Sequence, residues 1–465
     1  MNHDDLNIWA KKAADWARDY HAGLRDRPVR PNLQPGEFTA KIQGPPPEDA
    51  DPIAVIFDDF TRLVPDAMTH WQHPRFFAYF PANAAPASML AEQLANAIAG
   101  QAMLWQTAPA ANEMEAVVID WMRDALGLPA DFTGTIHDSA TTATFSAVLT
   151  MREKALDFCG LTEGLAAQPR LRLYASAQTH SSVDKAARLS GIGQDNLVKV
   201  ATRNGDALFS MDPAALDAAI RADLAAGFRP AGVILCTGGT SIGACDDLAA
   251  CIAVAKAHDL PTHVDAAWAG SAMICDDYRP LWAGVDQADS IVFNPHKWLG
   301  AQFDCSIQFI RDPGPQIRTM GLRPDYLKTQ GADEIVNYNE WTLPLGRRFR
   351  ALKLWFLIRA EGLSGLRSRI RNHVTWSREA ANAIAALPGF DIVTAPILSL
   401  FTFRFHDDAR TAALLEKVNA DGRIYLTQTT HDGAFVIRVQ VGQFDTTRED
   451  VMMIPDVLSG LSQEI

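Results

Sequence analysis

The strongest constraint on the fold is an alternation of short apolar runs and helical stretches that begins near residue 130. The runs predicted to form strands are LRLYAS (171–176), VKVAT (198–202), AGVILCT (231–237), PTHVDAAW (261–268), SIVFN (290–294) and CSIQFI (305–310). Strand followed by helix, repeated, is typical of an α/β fold in which helices cover both faces of a mostly parallel sheet. Such sheets bind their ligands beyond the carboxyl ends of the strands.

Polar side chains stand at the ends of four of these predicted strands. They are His180, Thr240, Asp265 and Lys297. Because the carboxyl ends of parallel strands meet at one edge of the sheet, we expect these side chains to lie close together. That edge is therefore the predicted site of chemistry.

Lys297 and Asp265 carry the clearest chemical meaning. A free lysine has a pKa of ~10.4, whereas desolvation at the end of a buried strand favours the neutral, nucleophilic amine. A buried carboxylate needs a cationic partner, which a pyridinium nitrogen supplies in pyridoxal phosphate sites. Each residue alone has a simpler interpretation, since Lys297 can be a solvated loop lysine and Asp265 can be a helix cap.

The segment DSATTAT (138–144) leads into the helical run FSAVLTMREKAL. Hydroxyls and free backbone N–H groups at a helix N-terminus bind phosphate, although simple N-capping explains the same pattern. His180 precedes another predicted helix, where its ring can stack on a flat ligand or serve a structural role.

Several other classes of function lack support. The formal net charge is −13 and no basic run is present, so nucleic acid is not a predicted partner. Gly191 and Gly193 lack the third glycine of a dinucleotide fingerprint, and GGTSIG (238–243) lacks the lysine of a phosphate-binding loop. His263 and Asp265 can share a strand face, but no third ligand is evident, so no metal site is predicted.

The two ends of the chain differ from the middle. Apolar residues at helical spacing predict an N-terminal amphipathic helix, which proline-rich segments follow: Leu6, Trp9, Ala13, Trp16 and Tyr20. After Gly362 the pattern indicates a smaller α+β domain with an antiparallel sheet. The predicted regions are a helical arm (1–85) that packs on a partner subunit, a large domain (86–362) and a small domain (363–465).

Cysteine usage and hydropathy predict a cytoplasmic protein. The six cysteines include no CxxC pair, which favours reduced thiols. The N-terminus lacks the basic-then-apolar pattern of a signal peptide. The most apolar long window (87–105) is interrupted by polar residues, so a buried helix is expected there rather than a membrane span.

Six motifs resemble those of the group II pyridoxal-phosphate-dependent decarboxylases, and most of all the aromatic-L-amino-acid decarboxylases. They are THWQHPRFFAYFP, DSATTAT, QTHSSVDKAA, HVDAAWAG, NPHKW and LPLGRRFRALKLWF. The match runs from the N-terminal helices to at least Arg359. It implies a fold type I enzyme with a seven-stranded sheet. Such an enzyme acts as a homodimer on a small-molecule substrate, an amino acid, with its site near the subunit interface.

By this resemblance, Lys297 is the Schiff-base lysine, Asp265 pairs with the pyridine nitrogen, and His180 stacks over the ring. Ala267 packs beneath the ring, and Thr240 lies near its hydroxyl. The residues that hold the phosphate are Ser139, Ala140 through its backbone, Thr141, Asn294 and His296.

The resemblance also locates the substrate pocket, at Trp71, Phe80, Pro81, Ala82, Met103, Leu104 and Gly346. An apolar lining favours an aromatic side chain over a carboxylate, whose desolvation would need a buried cation. Met103 and Leu104 are expected to reach over from the partner subunit, and Gly346 is expected to leave room for an indole. Gln72, Ala82 and Met103 depart from the animal pattern, so the preferred aromatic ring stays open.

Tyr338, in NYNEW, matches the family's proton donor to Cα and lies on a loop (321–344) with the composition of a lid. In related aldehyde-forming enzymes phenylalanine commonly replaces this tyrosine, so Tyr338 favours simple decarboxylation. Without the resemblance, Tyr338 is an exposed loop residue.

Three functions stay open at this point. The first is aromatic amino acid decarboxylation, and the second is decarboxylation of another amino acid or an aldehyde-forming reaction. The third is a catalytically silent scaffold on the same fold. The presence of both Lys297 and Asp265 argues against the scaffold.

Overall fold

The computed structural model describes residues 1–322 and 335–465. The α-helices in these ranges are α1 (His3–Ala22), α2 (Thr39–Ile42), α3 (Ile53–Leu63), α4 (Pro86–Ile98), α5 (Pro109–Leu126), α6 (Ala140–Ala155), α7 (Gly160–Glu163), α8 (Ser181–Leu189), α9 (Pro213–Ala225), α10 (Leu248–Ala257), α11 (Gly314–Met320), α12 (Arg350–Ala385), α13 (Asp408–Asp421) and α14 (Arg448–Ser462). The strands are β1 (Thr133–His137), β2 (Leu171–Ser176), β3 (Leu197–Val200), β4 (Arg229–Cys236), β5 (Thr262–Asp265), β6 (Ser290–Phe293), β7 (Ser306–Ile310), β8 (Phe390–Ile397), β9 (Leu400–Phe405), β10 (Thr427–His431) and β11 (Ala434–Gln440).

The larger sheet has seven strands in the order β1-β7-β6-β5-β4-β2-β3. The pairs β3–β2, β2–β4, β4–β5 and β5–β6 are parallel. Strand β7 runs antiparallel to both β1 and β6. The predicted α/β fold with a mostly parallel seven-stranded sheet is confirmed.

The six apolar runs all overlap strands, and LRLYAS coincides with β2. Strand β1 was missed because its sequence, TGTIH, is short and half polar. A Cβ atom at Gly134 would lie 2.4 Å from the carbonyl oxygen of Gln308. The close approach of β1 to β7 therefore requires glycine at this position.

The parallel centre of the sheet is buried on both faces. Val233, Ile234 and Leu235 of β4 are fully buried, as expected for strands that helices cover on each side. Val148 of α6 and Val183 of α8 pack in one apolar cluster with β2 and β4. This packing holds the carboxyl ends of β4, β5 and β6 side by side at one edge.

The chain divides into two compact units. The first unit comprises residues 1–81, 378–393 and 402–465, and the second comprises 82–377 and 394–401. The predicted large domain (86–362) falls wholly within the second unit. The regions predicted as a separate arm and a separate small domain contribute to the same first unit.

The C-terminal region contains the expected small sheet, in the order β10-β11-β9-β8. Strands β10 and β11 form an antiparallel hairpin. Helix α12 is interrupted at Gly362, whose φ of 63° and ψ of 156° are not helical. A glycine is favoured there because it adopts positive φ without a steric penalty.

The N-terminal amphipathic helix is confirmed as α1. Its first turn is closed reciprocally, because Asn2 accepts a hydrogen bond from the Asp5 N–H while the Asp5 carboxylate accepts one from the Asn2 N–H. The Trp9 ring lies 5.3 Å from the Phe57 ring of α3. The aromatic side of α1 therefore packs on α3, and packing on a second subunit stays a prediction.

The 87–105 window contains the expected helix, α4, but the expectation that this helix is buried is wrong. Helix α4 ends at Ile98, and Leu90, Leu94 and Ile98 are 50, 44 and 66% exposed. These residues recur every four positions, so they form an apolar stripe on the surface of the chain. None of the described helices combines the length and the apolar character that a bilayer crossing requires.

Candidate active site

Lys297 lies in a short π-helical turn (Pro295–Leu299) that begins two residues after β6 ends. The residues on either side of Lys297 are buried, and Lys297 itself is half-buried. The backbone at Lys297 has φ −89° and ψ −107°, which departs from helical geometry. The turn therefore places a lysine at the carboxyl edge of the sheet, as predicted.

Asp265 is the last residue of β5, the strand beside β6. In the sheet it is paired with Cys236 of β4 and with Val292 of β6. Only 7% of Asp265 is exposed, and its Oδ1 accepts a hydrogen bond from the Ala267 N–H at 3.0 Å. A nearly buried carboxylate thus lies at the same edge as Lys297.

His180 caps the N-terminus of α8, where its Nδ1 accepts a hydrogen bond from the Ser182 N–H at 3.1 Å. The residue retains accessible surface, yet desolvation by the surrounding protein lowers its pKa. The charge of Asp265 opposes this shift and that of Lys297 adds to it. The structure thus brings Asp265 and Lys297 within electrostatic reach of His180.

Ser139 caps helix α6, and its Oγ accepts a hydrogen bond from the Thr142 N–H at 3.2 Å. The same hydroxyl donates to Asp138 at 3.1 Å. Burial opposes ionisation of Asp138, but hydrogen bonds from Thr142 and Ser139 leave its pKa below the usual range. The Ser139 hydroxyl already donates its hydrogen bond to Asp138. The groups left to bind an anion at this helix N-terminus are therefore the backbone N–H groups of the turn.

Ala140 and Ala143 of α6 pack in one cluster with Val292 of β6 and with Ala267. Ala267 also accepts a backbone hydrogen bond from the Asn294 N–H at 2.9 Å. Ala267 therefore contacts both the N-terminal turn of α6 and the segment that leads into the Lys297 turn. Thr141 lies half-buried in the first turn of α6.

Asn294 and His296 are each 3% exposed. Asn294 Oδ1 accepts a hydrogen bond from the Ser306 hydroxyl at 2.5 Å. Nδ1 of His296 accepts one from the Cys305 N–H at 2.9 Å. Burial, together with the nearby charge of Lys297, lowers the pKa of His296 to about 3, so its ring is neutral.

Thr240 is half-buried in the loop that follows β4. This loop turns back on itself, because the N–H groups of Gly238 and Gly239 both donate to the Ala244 carbonyl. The loop leaves the sheet at Thr237, whose N–H donates to the Asp265 carbonyl at 3.0 Å. Thr240 therefore belongs to the same edge of the sheet as Asp265.

This set of groups fits a phosphorylated pyridine aldehyde. A helix N-terminus can hold the phosphate, a buried carboxylate can hold a protonated ring nitrogen, and a lysine amine can bind the aldehyde. A neutral imidazole can lie against the ring. The fit depends on the donors and acceptors of Lys297, Asp265, His180 and the α6 turn.

Tyr338 lies in a different cluster from Lys297. It is 2% exposed, and it belongs to an apolar cluster with Ile310 and Trp341. Ile310 is paired with Ser290 at the start of β6, whereas Lys297 follows the end of that strand. The alternative of an exposed loop tyrosine is wrong, and burial raises the pKa of Tyr338 above its usual value.

Met103 and Leu104 belong with the Tyr338 segment. The Asn339 N–H donates to the Met103 carbonyl at 3.2 Å. The Trp105 N–H donates to Asn337 Oδ1 at 3.0 Å. Met103, Leu104 and Tyr338, all predicted site residues, therefore lie in two chain segments that contact each other. Part of the predicted lid loop (323–334) lies outside the described residues.

Gly346 contacts a side chain that the sequence did not indicate. A Cβ atom at this position would lie 3.0 Å from Nε2 of Gln101. Oε1 of Gln101 accepts a hydrogen bond from the Arg347 N–H at 2.6 Å. The Gln101 side chain thus occupies the space beside Gly346. That Gly346 leaves room for the indole of a substrate stays a prediction.

The remaining pocket predictions divide between the units. Trp71 stacks on Tyr79 with ring centroids 6.0 Å apart, and Phe80 lies 4.9 Å from the Arg438 guanidinium. Pro81 is buried in the same unit, whereas Ala82 is half-buried at the start of the other. Phe76 and Phe77, from the same motif, are fully buried core residues.

Asn83 is the main residue that the sequence did not single out. It is fully buried, and its Nδ2 donates to the Lys297 carbonyl at 2.9 Å. The surrounding PANAAP reads as an ordinary turn, in which asparagine is common for local reasons. No sequence signal distinguishes such a residue from one that binds a distant backbone.

Comparison with known proteins identifies the family of this arrangement. Residues 35–406 match the family model for the pyridoxal-dependent decarboxylase conserved domain. An aromatic-L-amino-acid decarboxylase of Sus scrofa is 37% identical over 100% of this chain and 98% of its own length. A phenylacetaldehyde synthase of Arabidopsis thaliana is 35% identical over 95% of this chain and 92% of its own.

A solved structure agrees over the whole chain. The crystal structure of Catharanthus roseus tryptophan decarboxylase in complex with L-tryptophan matches with a TM-score of 0.94 at 30% identity. The match covers 100% of this chain and 99% of the other. The similarity therefore includes both compact units as well as the sheet that carries the candidate site.

Proposed function

Since the chain belongs to the pyridoxal-dependent decarboxylase family, we propose that it converts aromatic L-amino acids into arylalkylamines and CO2. The observation that supports this most strongly is the meeting of Lys297, Asp265 and His180 at the edge of the sheet. The relatives named for aromatic substrates extend over nearly the whole chain.

Each residue of the cluster has a defined task in this reaction. When bound, pyridoxal phosphate supplies a protonated ring that withdraws the electron pair released by a breaking bond at Cα. Asp265 keeps the proton on the ring nitrogen, because a buried carboxylate stabilises the adjacent positive charge. Lys297 would hold the cofactor aldehyde through its amine, and His180 would contact the ring.

Orientation by the protein selects the reaction. The α6 turn, Asn294 and His296 would hold the phosphate, and Ala267 would contact the ring. The packing of Ala267 against α6 and its hydrogen bond from the Asn294 N–H support this assignment. Residues that hold the substrate carboxylate perpendicular to this plane favour loss of CO2 over loss of the Cα proton. Apolar walls exclude water and favour an aromatic side chain.

A substrate panel tests this function. The purified protein, incubated with pyridoxal phosphate, is assayed with Trp, 5-hydroxy-Trp, DOPA, Tyr, Phe and glutamate, and amine and CO2 are quantified. We expect amine from aromatic substrates only, and kcat/KM ranks their preference. Amine from glutamate alone, or no amine from any substrate, would reject the proposal.

Aldehyde formation is the second candidate, because the Arabidopsis relative is named a phenylacetaldehyde synthase. The presence of Tyr338 favours the amine-forming reaction. Replacing it, Tyr338→Phe, is expected to lower amine yield about tenfold or more, since Cα loses its proton donor. Oxidation by dissolved O2, with water as co-reactant, should then release more aldehyde, ammonia and hydrogen peroxide. Amine and aldehyde are measured by liquid chromatography and peroxide by a coupled assay.

The matched control for Tyr338→Phe is Tyr425→Phe, which removes a phenol hydroxyl in the other compact unit. This control should leave the product ratio unchanged. An unaltered amine yield in Tyr338→Phe would remove the proposed role of Tyr338.

We also propose that the protein is a homodimer and that it is cytoplasmic. Three observations support the homodimer: the apolar stripe of α4, the exposed Val55 and Ile56 of α3, and the separation of Tyr338 from Lys297. In a dimer, Met103, Leu104 and Tyr338 can serve the site of the partner. Light scattering should give about 102 kDa, twice 50.8 kDa, and a monomer mass would reject the dimer.

A further inference from the structure

Two consecutive carbonyl groups at the lysine turn accept hydrogen bonds from one residue. The backbone N–H of Asn83 donates to the His296 carbonyl at 3.0 Å. Its side-chain Nδ2 donates to the Lys297 carbonyl at 2.9 Å. Asn83 is fully buried, so both bonds are shielded from water.

The two N–H groups that would bond these carbonyls in a regular helix donate to another carbonyl. In a regular helix the two carbonyls would accept from the N–H groups of Gly300 and Ala301. Both of these groups donate instead to the Pro295 carbonyl, at 3.1 and 3.0 Å. Buried carbonyls are stabilised by hydrogen-bond donors, and Asn83 supplies one donor to each of these two carbonyls.

Neighbouring residues continue the same contact along the chain. The Ala85 N–H donates to the Gly300 carbonyl at 2.9 Å. Oγ of Ser88, at the start of α4, accepts from the Gln302 N–H at 2.7 Å. Residues 83–88 therefore lie along residues 296–302, and Asn83 makes the bonds nearest the reactive amine.

From this geometry we propose that Asn83 is a positioning residue for Lys297 in the decarboxylation proposed above. By holding the Lys297 carbonyl, its side chain fixes the non-helical backbone from which the amine extends. This aligns the amine with Asp265 and His180, on the adjacent strand ends. Asn83 thereby governs how readily the lysine bonds to the cofactor and releases it to substrate.

The test compares Asn83→Asp with Asn83→Ala. Asn83→Asp keeps the size of the side chain but places an oxygen, which cannot donate, next to the Lys297 carbonyl. Asn83→Ala removes the Nδ2 donor without adding charge. Both should lower kcat roughly 10- to 100-fold, with a smaller change in KM. Both should also shift the pH dependence of the bound cofactor's visible absorption and lower the fraction that borohydride fixes on Lys297.

Ser88→Ala is the matched control, since it removes a buried hydrogen bond from the same segment without contacting residues 296 or 297. It should lower the melting temperature of the cofactor-free protein while leaving the spectrum, the fixed fraction and kcat unchanged. The inference is overturned if the Asn83 variants match the wild type in these readouts. It is equally overturned if only the aspartate has an effect, or if Ser88→Ala reproduces the losses.

Failure of this inference is distinct from failure of the proposed function. A wild-type protein that forms amine, with Asn83 variants that do so equally well, rejects only the positioning role. A wild-type protein that forms no amine rejects the function, while the borohydride and absorption readouts still report the effect of Asn83 on the Lys297 linkage.

Discussion

Replacing Lys297 with alanine is expected to lower amine formation by at least about 10³-fold and to abolish covalent attachment of the cofactor. Lys297 is half-buried at the edge of the sheet, within electrostatic reach of His180. No other lysine is proposed to bond to the cofactor. The loss should therefore appear in kcat rather than in substrate affinity.

The measurement has two parts, amine quantification and borohydride reduction followed by peptide mass spectrometry. The wild type should carry the cofactor mass on the peptide that contains Lys297. Lys185→Ala is a suitable control, because it removes a solvent-exposed lysine from α8. A Lys297→Ala protein that retains substantial activity, or a label on another lysine, would contradict the assignment.

Asp265→Asn is expected to lower kcat by roughly 10²- to 10³-fold, the second largest effect. The substitution keeps the shape of the side chain and an oxygen that can accept the hydrogen bond of the Ala267 N–H, but it removes the negative charge. Without that charge, a proton on the ring nitrogen loses its stabilising partner. The protein should also hold pyridoxal phosphate more weakly, which equilibrium dialysis measures.

A second readout for Asp265→Asn is the titration of His180. The pKa of His180 is lowered by desolvation, and the charge of Asp265 raises it in part. Removing this charge should therefore move the pKa of His180 further down, which NMR titration of the imidazole can follow. Asp289→Asn is the control, since Asp289 bonds the Thr262 N–H at the opposite end of β5.

Asp289→Asn should reduce stability without changing kcat or the His180 titration. Wild-type kcat in Asp265→Asn would show that the carboxylate does not support the ring proton. A rise in the pKa of His180 would contradict the electrostatic contact between the two residues.

Much of the candidate site was predictable from local patterns. The run LRLYAS coincides with β2, and Asp265 and Lys297 stand at adjacent strand ends, as the rule for parallel sheets requires. The helix N-terminus at Ser139 was predictable from its capping residue. The resemblance to decarboxylases then supplied a role for each of these residues.

Other features were not predictable because they depend on distant partners. Strand β1 has a weak apolar pattern and is defined by its pairing with β7. The exposure of Leu90, Leu94 and Ile98 on α4 was also unexpected, since an apolar window alone does not reveal which surface covers it. The burial of Tyr338 depends on Ile310 and Trp341, which pattern rules for a loop do not include.

The sequence by itself determined the α/β class, the ends of the central strands and the chemistry of Lys297 and Asp265, because these depend on periodicity and on residue type at fixed spacings. Only the tertiary structure decided that Asn83 bonds the Lys297 carbonyl, that Gln101 lies beside Gly346, and that Tyr338 is buried apart from Lys297. Such contacts join residues far apart in the chain, and they are set by how the elements pack rather than by the residues near each one.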